Sequence, residues 1–283
     1  MNYDPRLTPA RPDLAAEHLR DMIPAASYAR GRRMQISASH VDLRRSPSDD
    51  AATDTQALYG ETLIAYEEKD GWCWVQLDRD RYVGYIRSEA LDPRVVKPTH
   101  RVRVRHTLVF SAPDIKSPPL DALPFCAEAH VVSADDKFAE IHSGGYVFMR
   151  HLAANNRPLS DFVGLAEMFL HTPYLWGGKT DVGIDCSGLV QVTLGAIGVA
   201  APRDTDMMEA ALGRPAEVDE KRMRGLCRGD LVFWRGHVGI MRDEQTLLHA
   251  NAHTMTVAAE PLAIVRDRVR STNFSEITSI RRV

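Results

Sequence analysis

The apolar residues of this chain change period near residue 160, and that change divides what the chain can fold into. Before it, apolar and polar residues alternate in short runs. Gly60-Glu-Thr-Leu-Ile-Ala-Tyr66, Trp72-Cys-Trp-Val-Gln-Leu77 and Tyr82-Val-Gly-Tyr-Ile-Arg87 are divided by Lys69-Asp-Gly71 and Asp78-Arg-Asp80. A period of two with turn signals between the runs reads as short strands closing a small barrel. From Ser160 onward, Phe162, Leu165, Ala166, Phe169 and Leu170 recur at helical spacing, with Ser160 as a candidate cap and Pro173 as the stop. Strands alone, then helices followed by a strand meander, make the chain α+β.

Four segments follow. Residues 1–34 read as an arm, extended around its prolines, with a short helix over Asp13–Met22. Residues 35–98 read as a small all-β barrel. Residues 99–156 repeat the pattern: Gly145-Tyr-Val aligns with Gly84-Tyr-Ile, and His151-Leu152 with Ala90-Leu91. Asp114-Ile-Lys-Ser-Pro-Pro119 is read as a loop and Asn155-Asn-Arg-Pro158 as a linker. Residues 157–283 form the last domain. Its candidate elements are a helix after the Asp185-Cys-Ser-Gly stretch, another over Met207–Leu212, and strands at Asp230–Trp234, His237–Met241 and Thr246–Ala250. Ile264-Val-Arg-Asp-Arg and Ile277-Thr-Ser-Ile-Arg-Arg close the chain.

The formal charge is −3, from 35 basic and 38 acidic residues. That leaves no basic footprint for nucleic acid and no polybasic membrane anchor. Cys73, Cys126, Cys186 and Cys227 are dispersed, with no CxxC pair to hold zinc or seed a disulfide framework, and no cofactor motif is present. The N-terminus lacks a basic stretch followed by an apolar one, and no run approaches ~18 apolar residues. A cytoplasmic location is the expectation.

The chemistry concentrates around Tyr174-Leu-Trp-Gly-Gly-Lys-Thr-Asp-Val-Gly-Ile-Asp-Cys-Ser-Gly-Leu-Val190. A glycine-rich loop delivers Cys186 to the start of a helix carrying Leu189, Val190, Val192 and Leu194. The partial positive charge of a helix start is expected to lower the thiol pKa and favour thiolate. A cysteine nucleophile needs a base and an orienting group. His171, His237, His249 and His253 are the nearby choices. His237 and His249 lie on strands joined by the Arg242-Asp-Glu-Gln turn, where cross-strand neighbours stand ~4.5–5.5 Å apart at Cβ. On the residues alone, a thiol hydrolase or transferase and a merely structural cysteine with core histidines are both open.

Further motifs run in order: Pro173-Tyr-Leu-Trp-Gly-Gly, Asp185-Cys-Ser-Gly-Leu-Val, Pro202-Arg-Asp-Thr, Gly229-Asp-Leu-Val-Phe-Trp, His237-Val-Gly-Ile and His249-Ala. Together they resemble the NlpC-type family of papain-fold cell-wall cysteine peptidases, over about residues 160–283. The barrels ahead of them resemble bacterial SH3-like domains, as in the subgroup that trims murein peptides bearing a free N-terminal L-alanine at the γ-D-glutamyl–diamino acid bond. The resemblance implies Cys186 as nucleophile, His237 as base and His249 as the third, orienting residue. It implies an oxyanion site at the Cys186 backbone N–H, with the Tyr174 hydroxyl as the candidate second donor. Leu58-Tyr-Gly-Glu61 matches the subgroup's motif, so Glu61 would pair with the substrate ammonium and Tyr82 would be a second contact. Asp185 is another candidate for the amine. Ser187 and the Arg203-Asp204-Thr205 run are candidates for the D-glutamate carboxylate. Arg203 equally suits an internal salt bridge, and Trp176 is either a pocket wall or core. Met207-Met208 stand where the family often has a small residue and glutamine, which clouds the pocket but not the triad. The resulting expectation is a metal-free cytoplasmic peptidase of murein peptides. A secreted wall hydrolase, a non-catalytic murein-peptide-binding module and an acyltransferase on the same fold are the alternatives.

Overall fold

The computed structural model describes residues 3–218, 224–273 and 275–283. The chain divides into two compact units, residues 1–157 and 158–283.

The first unit is all-β. Its seven-stranded sheet runs in the order Thr53–Leu58, His40–Arg44, Val83–Arg87, Trp72–Leu77, Thr62–Lys69, Arg32–Ile36, Leu91–Asp92. Met34, Ile36, Leu43, Leu63, Val75 and Ile86 point into one apolar core. The alternation legible in Thr62–Lys69 is what buries Leu63 and Ala65. Trp72–Leu77 is buried along its whole length. The N-terminal arm accounts for part of that: Arg11 stacks on Trp74 at 4.4 Å and donates to Tyr85 Oη at 2.8 Å.

The arm differs from the expected helix over Asp13–Met22. Leu14–Ala16 is a strand, paired in parallel with Ser27–Ala29, and only Glu17–Leu19 makes a 3₁₀ turn. Leu14, Ala15 and Ala16 are all buried. Contiguous burial with a strand partner overrides a weak helical preference. The strand Thr53–Leu58 was also not expected. Its Thr-Asp-Thr-Gln sequence is polar, yet Thr55 and Gln56 are buried within the sheet.

Residues 100–154 build a three-stranded sheet and a five-stranded sheet over a second core of Val102, Val109, Leu123, Ile141, Val147 and Leu152. Pro119–Pro124, whose first residue lay in the expected loop, is an edge strand, where proline is tolerated. The Gly-Tyr signature has a shared physical basis. A Cβ on Gly84 would lie 2.2 Å from Leu43, and one on Gly145 would lie 2.5 Å from Val109. In both places a strand passes over a core side chain too closely for any residue but glycine. A 3₁₀ turn and a buried leucine follow each time, Ser88–Ala90 with Leu91 and Met149–His151 with Leu152.

In the second unit we number the helices α1 (Phe162–Glu167), α2 (Cys186–Ala196), α3 (Thr205–Ala211) and α4 (Leu262–Asn273). The strands are β1 (Arg214–Pro215), β2 (Asp230–Trp234), β3 (His237–Met241), β4 (Thr246–Asn251), β5 (Thr256–Pro261) and β6 (Ile277–Arg282). The sheet order is β1-β6-β2-β3-β4-β5, antiparallel throughout. Helix α1 is capped by Asp161, whose carboxylate accepts the Gly164 N–H at 3.1 Å, and not by Ser160. It is shorter than the apolar spacing implied: the N–H groups of Met168, Phe169 and Leu170 bond three residues back, in tighter turns, before His171 takes φ +69°. Helix α2 is buried on nearly every face and packs against both α1 and β3. Strand β5 and helix α4 were not foreseen. Only Val257 of β5 is fully buried, so its alternation is faint. In α4, Leu262 and Val265 provide the core contacts.

Candidate active site

Cys186 is the first residue of α2, and Asp185 is its N-cap. Strand-like bridges Tyr174↔Ile184 and Lys179↔Ile184 fold the glycine loop back on itself. Backbone then packs on backbone: a Cβ on Gly188 would sit 2.2 Å from the Gly178 carbonyl oxygen. The Asp185 carboxylate ties this junction together. It accepts from Gly188 N at 2.6 Å, Gly177 N at 2.8 Å, Ser187 Oγ at 3.2 Å and Arg203 Nη2 at 2.6 Å. Arg203 Nη1 also donates to Ser187 Oγ at 2.6 Å.

Arg203 is 1% exposed. Of the two roles open to it, the internal salt bridge is the one present, because a guanidinium sealed against Asp185 has no face to offer a carboxylate. Asp204 precedes α3 as its N-cap without capping through its side chain, and Thr205 is the first residue of that helix. Trp176 is 65% exposed, which removes the reading of it as core.

The thiol does not behave as its helix position alone implied. Burial, and then the Asp185 carboxylate, push its pKa up to about 12, outweighing the hydrogen bonds from the Val238 and Ser187 backbone that act the other way. The resting sulfur is a thiol. The Val238 contact puts it beside the start of strand β3, next to His237 in sequence.

His237 Nε2 and His249 Nδ1 are 2.8 Å apart. The β3–β4 ladder pairs Ile240 with Leu248, so His249 falls opposite Gly239 and reaches His237 along the diagonal rather than directly across. His249 is buried, and its Nε2 lies 3.0 Å from Glu260 Oε2 on β5. Glu260 is in turn gripped by Arg268 of α4, at 2.8 Å and 2.9 Å. Hydrogen bonds from His249 and Arg268 hold the Glu260 carboxyl well below the usual range, so it is ionised and can only accept. The proton between them therefore resides on His249 Nε2. With His249 Nδ1 as the acceptor of the other contact, His237 carries its proton on Nε2. Nδ1 of His237 is left with a bare lone pair. Burial, followed by the neighbouring His249 and Arg268, pushes the His237 pKa down to about 3, so the ring is neutral at ordinary pH. A buried thiol in contact with Val238, one residue from a neutral imidazole of defined tautomer, supplies the groups that general-base catalysis uses.

Tyr174 lies near the same sulfur. Burial, then the charges of Cys186 and Asp185, raise its pKa, so the hydroxyl remains a donor. The Cys186 N–H, at the first helical position, has no intrahelical acceptor. Glu61 and Tyr82 belong to the first unit. The Glu61 carboxylate accepts from Leu58 N at 3.3 Å and lies 2.6 Å from Arg79 Nε. Tyr82 is 4% exposed and packs in the core of the seven-stranded sheet rather than on an open surface. Sequence reasoning missed Glu260 and Arg268. Both lie beyond the recognisable motifs, and only the β4–β5 hairpin brings Glu260 back to His249.

The sequence matches the NlpC/P60 family over residues 171–272 and the bacterial dipeptidyl-peptidase Sh3 domain over residues 43–91. It is 26% identical to dipeptidyl-peptidase 6 of Lysinibacillus sphaericus, over 76% of this chain and 86% of that protein. It is 28% identical to the γ-D-glutamyl-L-lysine dipeptidyl-peptidase of Bacillus subtilis, over 74% of this chain and 76% of that one. The fold matches a crystal structure of an NlpC/P60 family protein from Bacillus cereus with a TM-score of 0.73 at 19% identity, covering 88% of this chain and 99% of that one. The chain thus carries a papain-like NlpC/P60 domain, which holds Cys186, His237 and His249, behind an N-terminal all-β region that includes a bacterial dipeptidyl-peptidase Sh3 domain.

Proposed function

We propose that the protein hydrolyses the γ-D-glutamyl–diamino acid bond of murein peptides with a free N-terminal L-alanine, releasing L-Ala-γ-D-Glu, and that it does so in the cytoplasm to recycle wall peptides. The observation that carries the chemistry is the proton-ordered chain His237–His249–Glu260 beside a buried thiol. The bond specificity follows the relatives' names, two of which specify γ-D-glutamyl-L-lysine.

The reaction is an acyl transfer. As the Cys186 sulfur attacks the γ-glutamyl carbonyl carbon, Nδ1 of His237 takes the thiol proton. The carbonyl oxygen, now an anion, is held by the Cys186 N–H and the Tyr174 hydroxyl. The His237 imidazolium passes its proton to the diamino-acid nitrogen as the C–N bond breaks. A water then loses its proton to His237 and attacks the thioester, restoring the thiol. The substrate ammonium falls to Glu61, whereas Tyr82 packs in the core of the same unit. The D-glutamate carboxylate falls to the hydroxyls of Ser187 and Thr205, and Trp176 walls the pocket.

The test is incubation with L-Ala-γ-D-Glu-lysine, its diaminopimelate counterpart and N-acetylated versions of both. Cleavage of the free forms only, abolished by Cys186→Ala, is the expected result. Equal turnover of blocked peptides would overturn the free-amine reading. Turnover of none, with intact sacculi digested instead, would favour a wall hydrolase.

A further inference from the structure

The pair Glu260–Arg268 is built like a part of the catalytic apparatus, although neither residue reaches the sulfur. In the β4–β5 ladder His249 faces Ala258 and Leu247 faces Glu260. Glu260 therefore reaches His249 along the diagonal, ~7–8 Å at Cα, a span suited to a long side chain. Arg268 approaches from α4 and covers both carboxylate oxygens, Nη1 to Oε1 at 2.8 Å and Nη2 to Oε2 at 2.9 Å. One oxygen thus serves His249 and Arg268 together. Asn251 completes the enclosure. Its Oδ1 accepts from the N–H groups of His253 and Thr254, which fixes the amide and turns Nδ2 toward His249 Nε2 at 3.3 Å. The His249–Glu260 contact is shorter, and the carboxylate has no hydrogen to donate, so the proton lies between those two.

We infer that Glu260, clamped by Arg268, is a positioning residue that fixes the tautomer of His249 and, through it, leaves Nδ1 of His237 bare for the thiol proton. The peptidase apparatus is then a relay of four side chains behind the sulfur: His237, His249, Glu260, Arg268. A carboxylate kept ionised by an arginine cannot release its hold as long as Arg268 stays. A glutamine in place of Glu260 presents both a carbonyl and an amide to His249 Nε2, so both tautomers become accessible and the order of the relay is lost. The titratable and charged groups facing Glu260 are His249 from the sheet and Arg268 from α4.

The kinetic arm of the test rests on the peptidase reading above; the spectroscopic arm needs no substrate. In ¹⁵N NMR of the histidine rings of the full chain near pH 7, His249 should carry its proton on Nε2, and His237 likewise. Glu260→Gln and Glu260→Ala should convert His249 to a mixture of tautomers, with Arg268→Lys showing an intermediate effect. A wild-type His249 protonated on Nδ1, or spectra indifferent to Glu260→Gln, would overturn the inference whatever the substrate proves to be. In kinetics on the L-Ala-γ-D-Glu peptide, Glu260→Ala should lower kcat by ~10–100-fold, the scale at which removing an outer partner of a functional histidine acts, with KM changed less than about twofold. A rise in KM alone would assign the pair to substrate binding instead. Arg268→Ala should move the acid limb of kcat up toward the ordinary glutamate range, ~4.3, because the carboxylate then protonates earlier. A purely structural loss would lower kcat equally at all pH and leave the limb in place.

Discussion

Burial decides the electrostatics at Cys186. A helix start offers the sulfur a partial positive charge, worth typically 0.3–1 kcal/mol at an exposed site (about that range). Taking the thiolate out of water beside Asp185 opposes it and wins, and the same burial holds His237 neutral. The pH profile should show this. The active base is the unprotonated ring, present above its pKa and lost as pH falls through about 3. For the full chain on a peptide substrate, the His237 limb of kcat should therefore lie far below the ordinary histidine range of ~6.5. A limb at 6 to 7 would show an ordinary imidazole and an exposed site. The sign of the thiol shift was not legible in sequence, because burial is a property of the packed loop and not of the Asp-Cys-Ser-Gly motif. The identity of Cys186, His237 and His249 was legible, because local motifs and strand spacing carry them. Glu260 was not, because its link to His249 is a diagonal across a hairpin whose second strand has almost no alternation. At the same scale, Arg203 should prove structural. Arg203→Ala leaves Asp185 buried without its cation, a loss of about 3–5 kcal/mol for a broken buried pair. Denaturant unfolding would measure it. A variant as stable as the wild type, but defective only in KM, would return Arg203 to the substrate.

Elements were legible where one face is apolar and the other polar, as in Thr62–Lys69 and Val83–Arg87. They were obscure where the burial pattern comes from a neighbour. Thr53–Leu58 and Leu14–Ala16 are strands because of what they pair with, and α4 hides because Arg266, Arg268 and Arg270 crowd the turns after its core contacts. The recurring Gly-Tyr strand permits a sharper test. Gly84→Ala places a methyl 2.2 Å from Leu43 and 2.8 Å from the Arg44 carbonyl oxygen. Backbone cannot yield as a side-chain tip can, so overpacking should cost about 1–3 kcal/mol. Gly145→Ala meets Val109 at 2.5 Å and adds a left-handed φ of +90°. It should destabilise at least as much, by the further ~1–2 kcal/mol of that conformation. Thermal unfolding of the two variants would rank them, and a neutral Gly84→Ala would show that the strand crossing is looser than drawn.

At the scale of the whole molecule, the proposed chemistry and the proposed selectivity reside in different units. The thiol and its relay are complete within residues 158–283, whereas Glu61, proposed to receive the ammonium, is buried in residues 1–157 and bridged to Arg79. Arg79 is itself shared with Glu128 at 3.1 Å, so Glu61 is one of two carboxylates on one guanidinium. That surplus of negative charge is what a bound ammonium would complete. Glu61→Gln keeps the side chain's size and removes its charge while Glu128 continues to pair Arg79. The variant should raise KM for the free peptide by about tenfold, the equivalent of one charge-assisted hydrogen bond at ~1.4 kcal/mol. It should leave the alkylation rate of Cys186 unchanged, since no residue of the relay is touched. In the wild type, kcat/KM should decline above about pH 8 as the peptide amine loses its proton, and in Glu61→Gln that limb should flatten. A variant with unaltered preference for the free amine would place amine recognition elsewhere, with the second unit alone reading the substrate.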